Sequence, residues 1–525
     1  MRPLIQEIPT AHTPESLAEQ LRGLPGMVLL RSGTFDSPQA RYSFVTARPF
    51  LTFRSFGSRC EFFSAYLQPS TLPPPLAAAA RPRRNAVKAG NPQLKFGNPW
   101  QILDALLARC ELLDEIDLPF PLGGCFGYWG YDLKNFIEPK LPRRAVNDLE
   151  LPDCHAGFYD SLVVFDHHLG KTFVVSTGLA ADGSRSEKRA GEQMEFWKSL
   201  LAVEAKGRAG SPLPAVERML AHGRRARSDA SYLQSNFSRA DFIAKVERAQ
   251  RYIRAGDIYQ VNLSQRLAAQ CDLSGWELFQ RLGAVSPAPF SAFLDCDDGR
   301  RAGRFQIASS SPELFLRLSG SHIQTRPIKG TRPRDADPTR DAQLAYELQT
   351  SAKELAELVM ITDLLRNDLG KVCEYGSVQT PDLARLERFA QVQHLVSTVE
   401  GRLRAEVTHL AALASCFPGG SITGTPKFRA MEIIDELEPL ARGPYTGALG
   451  YLGFNRESQL SIIIRSAICH GRKAYFHVGA GIVADSNPEA EYEETLAKAR
   501  GFFAALNQPR MDTDEHGLPE TKSSG

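Results

Sequence analysis

Two periods of hydrophobic and polar residues alternate along this chain. At 27–56, apolar residues recur at every second position in the short runs VLLRSG, RYSFVTA and FLTFRSF, which proline, aspartate and glycine separate. This period is typical of half-buried strands joined by turns. At 242–253 the apolar residues follow the helical period, Ser238 is placed to cap the helix, and Gly256 is placed to end it. The pattern predicts a protein that mixes sheet and helix.

The same two periods divide the rest of the chain. We predict strands at 121–133, 157–165, 171–175, 258–267, 315–328 (a pair turning at 319–321), 389–403, 447–454, 460–469 and 474–483. We predict helices at 100–113, 352–372, 408–416, 428–437 and 489–503. A chain of 525 residues with these elements admits several domains or one large two-layer architecture.

Breaks in the periodic pattern suggest how the chain is organised. Residues 68–97 lose all periodicity and are rich in proline, alanine and basic residues, which indicates a flexible excursion. We expect an N-terminal sheet region at 1–177 and a partly helical connector at 178–236. A second region, 237–507, carries most of the chemical signal, and the polar tail 508–525 is expected to be disordered.

Composition narrows the class of protein. The net charge of +2 argues against a general nucleic-acid binder, which needs a basic stripe. Nine cysteines, an odd number without a C-x-x-C pair, favour reduced thiols over a disulfide framework or a zinc site. No apolar run approaches the roughly 18 residues of a membrane span, and the N-terminus has no signal-like apolar segment. We expect a soluble cytoplasmic protein.

Two pairs of glutamates are candidates for a metal site. Glu354 and Glu357 lie one turn apart on a predicted helix, and so do Glu491 and Glu494 on the last one. Like charges at this spacing repel each other, but a hard cation such as Mg²⁺ between facing helices would stabilise them. On spacing alone, ordinary solvated glutamates remain the simpler interpretation.

Three residues are candidates for acid–base or covalent chemistry. Lys329 lies in PIKGT within an arginine-rich loop, where Arg326 and Arg332 would favour the neutral, nucleophilic amine. Glu313, at the start of a strand, is placed to act as a general acid or base. His394 lies in a mostly apolar strand, so it is a candidate site residue or simply a hydrogen-bonded core histidine.

Two further segments suggest anion binding. In PGGSITGTPK, Thr425 is the expected N-cap and Pro426 the first residue of the next helix, whose free amides form an anion site. Arg465 lies inside the apolar strand LSIIIRSAIC and therefore needs an anionic partner, such as a substrate carboxylate. VGAGIVA resembles half a dinucleotide fingerprint, but strand-like residues follow it, so nucleotide binding is rejected.

Seven ordered segments together resemble the chorismate-utilising enzymes. They are PIKGTRPR, DLLRNDLGKV, HLVSTVEGRL, PGGSITGTPK, YTGALGYLGF, IIIRSA and GAGIVADSNPEAEYEETLAKA. The resemblance covers 238–503 strongly and 27–165 more weakly, through LLRSG, RYSFV and GYWGYDL. It implies an α/β (α+β) sandwich of two large, mainly antiparallel sheets flanked by helices, similar to anthranilate synthase component I, with the site between the layers.

Within this family, the resemblance points to the aminodeoxychorismate synthases (component I) of 4-aminobenzoate and folate biosynthesis. Anthranilate synthase large subunits carry alanine where PIKGT has Lys329, and AGDIYQVNL and GYWGYDL suit the same branch. The implied chemistry has Lys329 add to C2 of chorismate while the C4 hydroxyl leaves with help from Glu313. Ammonia then adds at C4 and Lys329 departs, which gives 4-amino-4-deoxychorismate. His394 is expected to orient the site.

The resemblance also implies a magnesium site and a substrate pocket. Glu357 and Glu494 would hold Mg²⁺, with Glu354 and Glu491 in an outer shell through water, and the ion would anchor the ring carboxylate of chorismate. The residues expected to contact the substrate are Arg465, Tyr445, Gly479, Gly481, Thr423, Thr425 and Lys498.

The resemblance implies partners as well. The chain shows no G-x-C-x-G nucleophile elbow, so a separate glutamine amidotransferase subunit is expected to supply ammonia, and the downstream aminodeoxychorismate lyase is expected to be a separate protein. Arg31 stands in LLRS where anthranilate synthases have an acid in their tryptophan pocket, so feedback inhibition is not carried over. Anthranilate synthase component I and a catalytically silent chorismate-binding subunit remain the alternatives.

Overall fold

A computed structural model describes residues 2–32, 40–64, 92–113, 117–202, 233–296, 303–388 and 392–507. The expected tail 508–525, residues 203–232 of the connector and residues 68–91 of the aperiodic segment lie outside the described residues. Among the described residues, no helix is both long enough and apolar enough to span a membrane.

The described residues form two sheets. From edge to edge, the first sheet consists of β1 (Leu4–Glu7), β10 (Lys171–Ser176), β9 (Ser161–Asp166), β3 (Tyr42–Thr46), β2 (Val28–Arg31), β13 (Phe290–Cys296), β14 (Phe305–Ser311), β23 (Ser466–His470), β24 (Lys473–Ile482), β12 (Gln260–Gln270) and β11 (Leu233–Ser235), and the short β20 (Gly424–Thr425) also pairs with β12. Residues from both the N-terminal and the second region therefore share this sheet.

The second sheet has the same mixed origin. Its strands are β17 (Ile328–Pro333), β19 (Val392–Arg402), β16 (His322–Arg326), β15 (Leu314–Ser319), β22 (Glu457–Ile462), β21 (Ala448–Gly453), β7 (Gly124–Trp129), β8 (Cys154–Tyr159), β4 (Leu51–Phe56), β5 (Arg59–Ser64) and β6 (Gln93–Phe96), with β18 (Gln379–Arg388) paired to β19. The strand pairs of both sheets are antiparallel. The expected sandwich of antiparallel sheets is confirmed.

Helices cover the sheets. They are α1 (Pro14–Gln20), α2 (Pro99–Leu107), α3 (Lys134–Ile137), α4 (Glu187–Leu201), α5 (Arg239–Arg254), α6 (Gly275–Val285), α7 (Pro338–Thr350), α8 (Ala352–Gly370), α9 (His409–Cys416), α10 (Lys427–Leu437), α11 (Pro488–Lys498) and α12 (Arg500–Asn507), with 3-10 turns at Tyr131–Leu133 and Gly420–Ile422. The predicted start of α5 is confirmed, since Ser238 and Asp241 form a capping box. The predicted single helix at 489–503 is wrong, because the chain is capped at Ala499 and α12 begins at Arg500.

The two sheets pack face to face through aromatic side chains. Phe44 of β3 meets Tyr451 of β21 edge to face, with ring centroids 5.1 Å apart, and Phe305 of β14 meets Tyr128 of β7 at 6.0 Å. These four side chains are buried in one continuous apolar cluster between the layers. Such pairs add to the burial of apolar area that holds sheet on sheet.

The chain changes sheets within segments that the sequence predicts as single strands. The predicted strand 157–165 is divided between β8 and β9, which belong to different sheets, and the predicted strand 460–469 is divided between β22 and β23. Both predictions are wrong for one reason: each half is buried in its own sheet, so the apolar pattern continues across the crossing. Arg465 lies at the second crossing, where its backbone has a φ of +50°. It is therefore not inside a strand as expected.

Candidate active site

The candidate site lies where the second sheet approaches the end of β24 in the first. Lys329 is on β17 rather than in the predicted loop, and β17 pairs with β19 with a shift of register between Lys329 and Thr331. Gly330, at this shift, has a φ of +67°. Lys329 Nζ lies 3.7 Å from the point that a Cβ on Gly481 would occupy. The lysine therefore reaches from one sheet to the other.

Carboxylates of α8 face this lysine. Lys329 Nζ is 3.3 Å from Glu357 Oε2, and both side chains are largely buried. The arginines expected to act on Lys329 are directed elsewhere. Arg332 pairs with Glu354 at 3.6 Å, and Arg326 pairs with Glu387. The expectation that these arginines favour a neutral Lys329 is therefore wrong, because each of them pairs with a glutamate and the group beside the lysine amine is the carboxylate of Glu357.

Glu313 lies at a crossing between the sheets, between β14 and β15, and is 7 % exposed. Burial raises the pKa of its carboxyl group to about 7, although a hydrogen bond from Ser421 and the nearby charge of Lys329 oppose the rise. A carboxyl with this pKa holds a proton near neutrality and can deliver it, as a general acid requires. Ser421 lies in the PGGSITGTPK segment but was not among the predicted site residues.

His394 lies on β19 beside Thr331, its partner in the strand register. Its Nδ1 is 2.8 Å from Thr331 Oγ1 and 3.4 Å from the carbonyl oxygen of Gly330. Burial lowers the pKa of His394 to about 4; the Gly330 carbonyl opposes this shift and the charge of Arg465 adds to it. The imidazole is thus neutral at physiological pH and fixed against the strand that carries Lys329.

Arg465 is half-buried at the crossing between β22 and β23, and burial lowers the pKa of its guanidinium group. Among the described residues, no carboxylate lies within 4.0 Å of it. An arginine held in this way favours an anionic ligand. That Arg465 binds a substrate carboxylate stays a prediction, and the structure places the residue between two strands rather than inside one.

Two glycines of β24 let polar side chains approach the strand closely. A Cβ on Gly479 would lie 2.6 Å from Asn262 Oδ1 and 3.0 Å from the Tyr445 hydroxyl, and a Cβ on Gly481 would lie 2.4 Å from Gln260 Nε2. Asn262 Oδ1 is buried without a hydrogen bond among the described residues. Polar groups of other segments therefore converge on Gly479 and Gly481, and neither Asn262 nor Gln260 was among the predicted site residues.

Tyr445 is held by stacking. Its ring lies parallel to that of His477, with centroids 4.8 Å apart and an interplanar angle of 10°. Burial raises the pKa of Tyr445, so the phenol stays protonated and can donate a hydrogen bond.

The two threonines of PGGSITGTPK have different environments. Thr423 is fully buried, and its hydroxyl donates to the carbonyl of Gly419 at 3.0 Å, so this hydroxyl is engaged by the protein itself. Thr425 lies on β20 opposite Gln260. The N-cap of α10 is therefore Pro426, without a side-chain cap, and the prediction of Thr425 as the cap is wrong because that residue is still in a strand.

The second pair of glutamates lies on α11. Glu494 pairs with Lys498 at 2.8 Å, and Lys498 donates to the carbonyl of Gly479 at 2.8 Å. Glu491 accepts a hydrogen bond from Ser486 at 2.6 Å. Burial and then repulsion from Glu494 raise the pKa of Glu491, against the effect of Ser486. The predicted glutamates on α8 and α11 thus adjoin the strand end formed by Gly479 and Gly481.

The donor chemistry of these glutamates fits a hard cation, although their present arrangement is not a finished site. Carboxylate oxygens suit Mg²⁺, and the repulsion between Glu491 and Glu494 is of the kind that a cation relieves. Within the described part of the chain, no three His, Cys, Asp or Glu side chains are grouped as metal ligands. Glu357, Glu354 and Glu494 each contact a lysine or arginine, so side-chain rotation would have to precede metal binding.

Comparison with models of protein families identifies the family to which the site residues belong. Residues 68–504 match the model of the chorismate binding enzymes. The chain belongs to this family. It is therefore a chorismate-utilising enzyme, and the residues described above lie within the matched region.

Relatives with two different names are similar over nearly the whole chain. Aminodeoxychorismate synthase component 1 of Escherichia coli (strain K12) is 36% identical over 491 residues, which cover 93% of this chain and 95% of that protein. Anthranilate synthase component 1 of Acetivibrio thermocellus is 35% identical over 499 residues, 94% of this chain and 93% of that protein. The solved structure of anthranilate synthase component I from Streptococcus pneumoniae TIGR4 is 29% identical, with a TM-score of 0.69, and the match covers 89% of this chain and 92% of that one.

Proposed function

We propose that this enzyme converts chorismate and ammonia to 4-amino-4-deoxychorismate, as an aminodeoxychorismate synthase component I. The observation that carries the proposal is the position of Lys329, whose amine extends from β17 to Glu357 and to the neighbourhood of Gly481 on β24. An amine in this position, near the carboxyl of Glu313, which is partly protonated at neutral pH because its pKa is about 7, favours covalent catalysis by Lys329.

The proposed reaction has two displacement steps. The neutral amine of Lys329 forms a bond to C2 of chorismate, the two conjugated double bonds of the ring shift, and the C4–O bond breaks. Glu313 supplies the proton with which the hydroxyl leaves as water, and the proton released by the new C–N bond balances it. Ammonia then bonds to C4 and loses a proton, the two conjugated double bonds of the ring that shifted in the first step shift back, and the C2–N bond breaks as the amine of Lys329 takes up a proton. The sum is chorismate plus ammonia giving 4-amino-4-deoxychorismate plus water.

The remaining predicted residues have roles in binding. Arg465 and Tyr445 would hold the enolpyruvyl carboxylate together with the backbone of Gly479 and Gly481, and Lys498 would approach a carboxylate from α11. His394 would support the backbone at Gly330 and thereby the direction of Lys329. These groups fix the orientation of the substrate, which converts the addition into an effectively intramolecular step.

A divalent cation and a partner complete the proposal. Glu357 and Glu494 would hold Mg²⁺, with Glu354 and Glu491 outside them, and the ion when bound would offset the charge of the substrate's ring carboxylate. A glutamine amidotransferase subunit would supply ammonia, as the component 1 names of the relatives suggest. A separate aminodeoxychorismate lyase would consume the product.

Product identification tests the proposal. The purified chain is incubated with chorismate, Mg²⁺ and excess ammonium at mildly alkaline pH, and the products are identified by mass spectrometry. We expect 4-amino-4-deoxychorismate, which an added lyase converts to 4-aminobenzoate. Fluorescent anthranilate would refute the proposal and establish the tryptophan-branch activity instead.

Replacement of Lys329 tests the covalent step. Lys329→Ala is expected to abolish or divert amination while chorismate binding, measured by equilibrium dialysis, stays near normal. Lys188→Ala, on the exposed part of α4, is the matched control and is expected to behave as wild type. Unchanged formation of 4-amino-4-deoxychorismate by Lys329→Ala would rule out the covalent role.

A further inference from the structure

Next to the candidate site, Arg442 and Glu438 form an ion pair whose side chains are only 1% and 4% exposed. Arg442 donates from Nε to Glu438 Oε2 at 2.8 Å and from Nη2 to Glu438 Oε1 at 2.7 Å. A buried ion pair usually contributes little net stability compared with an apolar pair of similar size, because both charges lose their hydration. The presence of this buried ion pair is therefore not explained by stability alone.

The remaining hydrogen bonds of Arg442 supply a further explanation. Nη1 donates to the carbonyl of Ile422 at 3.0 Å and to Thr446 Oγ1 at 3.2 Å, and Nη2 donates to the carbonyl of Asn262 at 2.8 Å. Together with the two bonds to Glu438, these contacts employ all of the donors that a guanidinium group possesses. One side chain thus joins three separate segments of the chain.

Each of these segments lines the candidate site. Ile422 lies between Ser421, which bonds to Glu313, and Thr423. Asn262 directs its amide toward Gly479. Thr446 follows Tyr445 and has a φ of +60°, a conformation that non-glycine residues rarely adopt without support.

Glu438 and two tyrosines extend the connection. Glu438 Oε1 accepts hydrogen bonds from both the backbone N–H and the hydroxyl of Ser264, at 2.8 and 2.9 Å, which fixes β12 two residues beyond Asn262. The guanidinium carbon of Arg442 lies 4.7 Å from the ring centroid of Tyr131 and 5.7 Å from that of Tyr445. Cation–π contact of this kind adds to the hold on Tyr445.

We propose that Arg442, held by Glu438, is a positioning residue that sets the relative placement of the Ile422, Asn262 and Tyr445 segments and thereby the affinity of the site for its dianionic substrate. Arg442 bonds only to protein groups, so it takes no part in the bond changes. The inference rests on the proposed function, since chorismate is taken as the ligand of this site.

Arg442→Lys is the first test, because lysine retains the charge but has only three donors in place of five. We expect Kd and KM for chorismate to rise about tenfold or more, with a smaller change in kcat, because small misplacements in a binding site have effects of this order. Arg41→Lys is the matched control. Arg41 makes three hydrogen bonds to Asp166 in the first sheet, and replacement of its guanidinium group is expected to leave Kd and KM unchanged.

Binding and stability separate the outcomes. Wild-type protein that does not bind chorismate would refute the proposed function, and the inference with it. Wild-type protein that binds chorismate, with Arg442→Lys folded and binding equally well, would overturn the inference alone. A rise in Kd in Arg442→Lys at an unchanged midpoint of urea unfolding would support it.

The double variant Arg442→Met, Glu438→Leu keeps the test decisive if Arg442→Lys does not fold. It removes both buried charges, so folding is expected to be retained, but the carbonyls of Ile422 and Asn262 remain without their donor. A folded double variant with raised Kd and KM supports positioning. Wild-type Kd and KM in the double variant, or failure of both variants to fold, would mean that the pair serves the fold alone and would overturn the inference.

Discussion

Replacing Glu313 by glutamine removes a carboxyl group whose ionisation the fold opposes. The side chain is buried at the crossing between β14 and β15, and burial raises its pKa from 4.5 to about 7. Glutamine has nearly the same shape and can still bond to Ser421. The variant therefore isolates the effect of charge from the effect of packing.

The magnitude follows from the linkage between ionisation and folding. One pKa unit corresponds to about 1.4 kcal/mol, so the rise from 4.5 to about 7 corresponds to roughly 3 kcal/mol. Below pH 4.5 both the folded and the unfolded protein hold this proton. As the pH rises, the unfolded state ionises first, so the stabilisation is lost progressively up to the folded-state pKa of about 7. Between pH 5 and pH 8 the loss is roughly 2 to 3 kcal/mol.

Urea unfolding of wild type and Glu313→Gln, followed by tryptophan fluorescence, measures this loss. The free energy of unfolding of wild type minus that of the variant is expected to fall by roughly 2 to 3 kcal/mol between pH 5 and pH 8. Groups that titrate independently of Glu313 cancel in this difference. A difference that stays constant with pH would refute the argument that Glu313 is protonated near neutrality.

Two further substitutions test a close contact in the candidate site and a buried ion pair near it. Gly479→Ala places a Cβ 2.6 Å from Asn262 Oδ1, so we expect the KM for chorismate to rise at least tenfold without loss of folding, as steady-state kinetics and circular dichroism would show; an unchanged KM would contradict the close approach of Asn262 to Gly479 as a feature of the site. Lys427→Met leaves Asp368, which is 1% exposed, with the half-exposed Lys371 as its remaining cation among the described residues, so we expect about 3 kcal/mol of destabilisation in urea. Lys371→Met is the control and is expected to cost less than about 1 kcal/mol of stability. Equal losses in the two variants would contradict the assignment of Lys427 as the main partner of Asp368.

The sequence predicts local structure and residue chemistry well. The helix at Arg239–Arg254 follows from its cap and its period, and the β15–β16 pair follows from alternation around Ser319 and Gly320. Both are set by neighbours in the chain. Lys329 and Glu313 likewise stood out through their types and flanking residues, and the catalytic roles that the resemblance to the family implies for them stay predictions.

The ion pairs of the site and the places where the chain changes sheets could not be predicted. Lys329 meets Glu357, and Arg442 meets the Ile422 and Asn262 carbonyls, through contacts with other segments of the chain, whereas the Arg442–Glu438 pair is local at a spacing of four residues. In an apolar run such as LSIIIRSAIC, a strand buried in either sheet has the same pattern, so nothing in the run marks where one sheet ends and the next begins.

The sequence by itself determined many of the helices and strands, such as the helix Arg239–Arg254, because caps, turns and periodicity act between near neighbours. It also determined the family, because the motif order depends on residue identity alone. Only the tertiary structure decided that Glu313 and Arg465 lie at crossings between sheets, that Lys329 belongs to a strand, and that Arg442 joins three site segments. These features arise from strand pairing and side-chain packing across hundreds of residues, which no local pattern encodes.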